Sequence, residues 1–182
     1  MISLCMDSAY KQLVLGLYKD KELLAGISLE AFKKQSETIF VELNRLLKET
    51  NLDYKDIDRV IITKGPGSYT GIRIAMTIAK VLCSQMHKEL YTISTMQLYA
   101  YVAHVEDGQI QGNIQILTLD EVKKFIETNP GILLGDADLM GQDVQKVNFL
   151  KNFIELEPYY EKVENIHALV PDYLKESDSY KV

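Results

Sequence analysis

Two hydrophobic rhythms alternate along this chain, and their order outlines its first hundred residues. Ile2 to Met6 form a short apolar run ended by Asp7-Ser8, which predicts a buried strand. From Lys11 to Tyr18 both alternating faces carry apolar residues: Leu13, Leu15 and Leu17 on one, Val14 and Gly16 beside Gln12 on the other. Such a strand belongs inside a sheet. Asp20-Lys21 reads as a hairpin turn and Glu22 to Leu29 as a third strand, so the chain starts as an antiparallel meander. From Ser36, a candidate N-cap, the period lengthens. Ile39, Phe40, Leu43, Leu46 and Leu47 recur at helical spacing, opposite Glu37, Glu42, Arg45, Lys48 and Glu49. Arg59 to Thr63 predicts a fourth strand. A second helix runs to Met86, with Ile74, Ile78, Leu82 and Met86 on one side and Ala75 and Ala79 beside them. Leu90 to Ile93 predicts a fifth strand, and Ser94 or Thr95 caps a helix through Val102.

Three antiparallel strands continued by parallel α/β units predict a ribonuclease-H-like half with a mixed five-stranded sheet. After Ala103 the pattern weakens. It predicts a strand over Ile114 to Leu117 and a helix over Leu119 to Glu127 capped by Thr118. Beyond the Asn129-Pro130-Gly131 break come a buried strand over Ile132 to Asp136 and short helices over Asn148 to Phe153 and Ile166 to Leu169. The expected division is an N-terminal domain at 1–103 and a smaller α/β domain at 104–182.

Between the fourth strand and the second helix lies Lys64-Gly65-Pro66-Gly67-Ser68-Tyr69-Thr70-Gly71-Ile72-Arg73. Gly65 and Gly67 can take positive φ at little cost, and Ser68 or Thr70 can cap the helix. A capped helix start suits an anion, because unpaired N–H groups and the helix dipole both favour negative charge. The spacing nevertheless fits neither common nucleotide fingerprint. Gly71 is followed by Ile72-Arg73 rather than Lys-Ser/Thr, and the gap from Gly67 to Gly71 is too long for a dinucleotide turn. A structural turn is favoured over a phosphate site at Gly65, Gly67, Ser68 and Thr70.

Apolar residues make up 47% of the chain, enough for a core, and the net charge of −6 with dispersed lysines argues against a stand-alone nucleic-acid binder. Cys5 and Cys83 lack metal-ligand spacing and read as buried thiols of a cytoplasmic protein. No run reaches the roughly 20 apolar residues that span a bilayer. His87, His104 and His167 include no pair four residues apart, so no metal site is expected. Ser68, Cys5 and Cys83 have no recognisable base and orienting acid, so no nucleophile is assigned.

The stretch Gly65 to Arg73 closely resembles the GPGSFTGLR signature of the TsaB (YeaZ-like) family, which serves bacterial tRNA threonylcarbamoyladenosine modification. Met6-Asp7-Ser8 resembles its IDTS, Gln35-Ser36-Glu37 its HSE with Gln35 in place of His, and Pro171-Asp172-Tyr173-Leu174 its C-terminal P-x-Y-L. The resemblance is strong over residues 1 to about 100. Beyond Ala103 the family's D-A-R and E-V-Y strand is missing, so the second half is shortened.

The resemblance implies an actin/Hsp70/sugar-kinase-like fold of two related halves. It also implies a non-catalytic scaffold or activator that binds a TsaD-like transferase, is joined through that pair by a TsaE-like ATPase, meets tRNA only indirectly, and forms a homodimer when alone. No cofactor of its own is implied; ATP or ADP would sit at the interface with partners. The superfamily places a metal- or nucleotide-contacting acid at Asp7, but Ser8-Ala9-Tyr10 replace the glycines that would admit phosphate, which favours a turn role for Asp7 and Ser8. The period alone does not decide which helix faces are exposed. The resemblance puts the partner against Ile39, Phe40 and Leu43 of the first helix and Ile72, Arg73, Ala75, Met76 and Ala79 of the second. The alternative is a small ATP-binding phosphotransferase or ATPase of the same superfamily.

Overall fold

The computed structural model describes residues 1–31, 34–95, 104–106, 109–111, 119–128 and 148–173. The meander forms as its pattern predicts: β1 (Ile2–Asp7), β2 (Gln12–Lys19) and β3 (Glu22–Glu30). Asp20 makes the β2–β3 turn at φ 55°. In β1–β2 Leu4 faces Leu17 and Met6 faces Leu15, which keeps their apolar faces in register. Helix α1 (Gln35–Glu49) leads to β4 (Arg59–Thr63), and α2 (Tyr69–Met86) leads to β5 (Glu89–Ile93). β4 runs parallel to β1 and to β5.

The sheet has six strands rather than the expected five, in the order β3-β2-β1-β4-β5-β8. A hairpin of β6 (His104–Glu106) and β7 (Gln109–Gln111) is separate from it. Helices α3 (Leu119–Thr128) and α4 (Phe149–Glu155) follow, then the sixth strand of the main sheet, β8 (Glu161–Lys162), antiparallel to β5. The mixed order is that of the ribonuclease-H-like α/β fold. The strands predicted at 114–117 and 132–136, the helix body at 96–103 and the cap at Thr118 lie outside the described residues.

Alternation within the strands explains why both faces of the sheet are covered. Leu4, Met6, Leu13, Leu15, Leu17, Val60 and Ile62 point to α1 and α2, where Ile39, Leu43, Ile72, Ala75 and Ala79 meet them. Cys5, Val14, Tyr18, Ile61 and Ile93 point the other way and are covered by Phe149, Phe153 and Leu156. Residues 148–160, in the expected C-terminal domain, cover this second apolar face of the sheet. Arg59 fastens them. Buried on β4, it donates from Nε to Ser3 Oγ at 2.8 Å and from a terminal nitrogen to Glu157 Oε1 at 2.5 Å, and it lies over the rings of Tyr91 and Tyr160.

Two local expectations are corrected. Ser36 does not cap α1: the cap position is Lys34, with no side-chain bond. Gln35 is drawn inward instead, its amide donating to the Tyr10 carbonyl at 2.8 Å, so the helix starts earlier and Ser36 lies in its first turn. On α2 the stripe against the sheet is Ile72, Ala75, Met76, Ala79 and Cys83, all buried. Ile74, Ile78 and Leu82 sit one step around the helix, half-buried.

The end of β1 and the first turn of α2 touch backbone to backbone. A Cβ at Gly71 would overlap the Ser8 carbonyl oxygen. Alanine in a helix ordinarily stabilises relative to glycine by about 1 kcal/mol. At Gly71 the sign reverses: Gly71→Ala is expected to cost about 1–3 kcal/mol through overpacking. Urea unfolding checks this, and a stabilised variant would contradict the contact.

Candidate partner-binding surface

The glycine turn is built to join elements. Gly65 alone among the described glycines has positive φ, at 120°, whereas Gly67 does not need it. Gly67 is required by proximity, because a Cβ there would run into the Ala9 backbone. The Gly65–Pro66 peptide is cis. Ser68 caps α2, its hydroxyl accepting from the Gly71 N–H at 3.2 Å. Thr70 lies exposed in the first turn.

Several donors and acceptors around the turn are engaged by the chain itself. The Ser68 N–H donates to the Ala9 carbonyl at 2.7 Å, and the Gly65 carbonyl accepts from the Thr95 N–H at 2.8 Å. Asp7 is fully buried; its Oδ1 accepts from the Ala9 N–H at 3.1 Å and from the Thr63 hydroxyl. Ser8 Oγ donates to the Gly71 carbonyl at 2.7 Å and accepts from the Ala75 N–H at 3.2 Å. Asp7 and Ser8 are thus brought beside the turn, where they tie β1 to β4 and α2. No three His, Cys, Asp or Glu side chains group to hold a metal ion among the described residues.

An open trough of about 580 Å³ lies between α1 and α2. Phe40 and Ile39 of α1, Tyr54 of the following turn, and Tyr69, Ile74, Ile78, Val81 and Leu82 of α2 line it, with Ser36, Thr70, Arg73 and Thr77. Phe40 is 50% exposed, Val81 58% and Tyr69 43%, so large apolar groups face solvent at helical spacing. This surface is apolar, elongated and walled by two helices, which suits a partner helix inserting side chains between them.

The residues expected to meet a partner divide sharply. Phe40 and Arg73 are exposed on the trough wall, and Ile39 lies at its floor. Leu43, Ile72, Ala75, Met76 and Ala79 are buried against the sheet, and their contact sets are filled by the core. The α2 residues that line the trough sit about one position around the helix from these, at Ile74, Thr77, Ile78 and Val81. Sequence reasoning had no means to rank two adjacent apolar stripes; the alanines and Gly71 that let α2 descend onto the sheet were the usable signal.

The family model of TsaD, tRNA N6-adenosine threonylcarbamoyltransferase, matches residues 28–119, half of the chain. The chain belongs to this family, on its TsaB (YeaZ-like) side. It is 23% identical to the tRNA threonylcarbamoyladenosine biosynthesis protein TsaB of Bacillus subtilis, over 96% of this chain and 94% of that protein. It is 29% identical to TsaB of Buchnera aphidicola from Acyrthosiphon pisum over 99 residues, 54% of this chain and 44% of that one. Among solved structures, a Pseudomonas aeruginosa protein described as having similarity to peptidase YeaZ superposes with a TM-score of 0.75 at 14% identity, over 96% of this chain and 99% of that one. At that identity the likeness concerns the fold, which is of the actin/Hsp70/sugar-kinase type.

In this TsaB-like chain the signature Gly65 to Arg73 works as a hinge plate: its glycines meet β1 and the C-terminal segment, and its last residues open the trough wall. The histidines stay apart from it in role. His87 is the left-handed C-cap of α2, and His167 lies exposed in a 3-10 turn. No described helix is long and apolar enough to cross a membrane.

Neither thiol is poised for chemistry. Burial pushes Cys5 up from 9.0 to about 12, against smaller opposing effects of the Tyr160 hydroxyl and Arg59. Burial alone pushes Cys83 up to about 12. The folded state therefore holds both protons more tightly than the unfolded one. That stability is complete below about pH 9 and is lost as pH rises toward 12. At pH 8 neither cysteine is expected to react with a thiol-exchange reagent in the native protein, while both react in denaturant. Rapid labelling of the native protein would show that one of them is accessible.

Proposed function

We propose that this chain acts in tRNA threonylcarbamoyladenosine biosynthesis as a non-catalytic scaffold that binds a TsaD-type transferase through the trough between α1 and α2. The observation that carries the reading is the exposed apolar wall of Phe40, Tyr69 and Val81. A patch of this kind on a helix pair marks an interaction site. The TsaB relatives support the pathway, and the match to the TsaD family supports a transferase of that related type as the partner. The hydrogen bonds of Asp7, Ser8 and Ser68 support a structural use of the region where a phosphotransferase would hold nucleotide.

In this reading a TsaE-like ATPase joins through the transferase, tRNA is met only by the assembly, and a second copy of the chain covers the trough when the transferase is absent. ATP or ADP, where bound, lies between subunits.

Phe40→Glu and Val81→Lys each place a charge on the exposed wall without entering the core. Each is expected to abolish co-purification with the organism's own TsaD-type transferase, with the far-ultraviolet circular dichroism and melting curve of the isolated chain unchanged. Undiminished binding by either folded variant would overturn the reading. The purified chain alone is expected to show no ATP turnover, and robust turnover would favour the phosphotransferase alternative. Met76→Glu is unsuitable as a test, because Met76 is 4% exposed and the variant would damage the core.

A further inference from the structure

We propose that the C-terminal segment 163–173 is a strap that positions Tyr69 on the trough wall through Tyr173, and so sets the affinity for the partner; the proposal rests on the docking reading above. The strap leaves the sheet with the Val163 N–H donating to the Leu90 carbonyl at 2.8 Å. It then crosses α2. Lys80 Nζ donates to the carbonyls of His167 and Leu169 at 3.0 and 2.9 Å, and Val163, Ile166 and Leu169 pack on the main core. At the glycine turn the Asp172 N–H donates to the Lys64 carbonyl at 2.7 Å, and Lys64 Nζ lies 3.6 Å from the Asp172 carboxylate. A Cβ at Gly65 would overlap the Asp172 carbonyl oxygen, so the strap fits only over glycine.

These anchors deliver Tyr173 to one place. Its ring stacks on Tyr69, with centroids 5.3 Å apart and planes inclined by 22°. Arg73 lies 4.9 Å over the same Tyr69 ring and donates to its hydroxyl. Tyr69 and Arg73 both line the trough. Tyr69 is the first residue of α2 and 43% exposed. Stacking holds it in one orientation, and a wall residue already fixed loses less freedom when a partner arrives. Tyr173 is a positioning residue, acting through Tyr69.

The test uses the full chain and titration calorimetry against the TsaD-type transferase. Tyr173→Ala is expected to weaken binding roughly 2- to 10-fold, the range a lost aromatic stack allows. Tyr173→Phe keeps the ring and is expected to restore wild-type affinity. In a Tyr69→Ala background, Tyr173→Ala is expected to add nothing further. Phe40→Glu is the control for the docking reading. Binding by Phe40→Glu equal to wild type would overturn that reading. Loss with Phe40→Glu but no effect of Tyr173→Ala would overturn the strap alone. So would failure of Tyr173→Phe to restore affinity, or a loss from Tyr173→Ala that is equally large with and without Tyr69.

Discussion

The structure depends on one close approach, where the chain leaving β1 meets the first turn of α2. Ser8 bonds to the Gly71 carbonyl and the Ala75 N–H, and the lack of a side chain at Gly71 lets the two backbones touch. Gly67 does the same against Ala9. This contact fixes how deep α2 sits on the sheet. Depth in turn decides which of its stripes is core, and it leaves the neighbouring stripe to form the trough with α1. In this chain the stretch Gly65 to Arg73 is therefore first a packing device.

The same device engages the polar groups near the turn within the fold. Buried polar atoms need partners, and here Asp7 and Ser8 find them in Thr63, Ala9, Gly71 and Ala75, while the exposed Ser68 hydroxyl accepts from the Gly71 N–H. The arrangement holds three elements rigidly. The large apolar side chains exposed on the trough wall lie outside it.

The second organising constraint is the other face of the sheet. Its apolar residues must be covered, and α4, the Arg59–Glu157 pair and β8 cover one side before the strap crosses to the helical side. The C-terminal region thus spans both faces and ends at the glycine turn, bringing Tyr173 to Tyr69 across more than a hundred residues of sequence.

The succession of strands and helices along the chain, and a cap of α2 at Ser68 or Thr70, were legible because each is a local matter of period, turn chemistry or capping. Apolar residues on both faces of β2 also announced its inner position. The sixth strand was not legible: Glu161–Lys162 is two residues long and takes its conformation from pairing with β5. Nor was the start of α1, since the amide of Gln35 is drawn in by a carbonyl 25 residues away. For the candidate site, the turn and the two helices could be named from sequence, and so could Phe40 and Arg73 on the wall. The sequence by itself determined that α2 carries two adjacent apolar stripes and starts at a glycine-rich turn. Only the tertiary structure decided that Ile72, Ala75, Met76 and Ala79 go to the sheet while Ile74, Ile78 and Val81 face the trough. The physical reason is that a helical period fixes the angle between stripes, whereas their direction is set by the nearest steric contact, here Gly71 against Ser8.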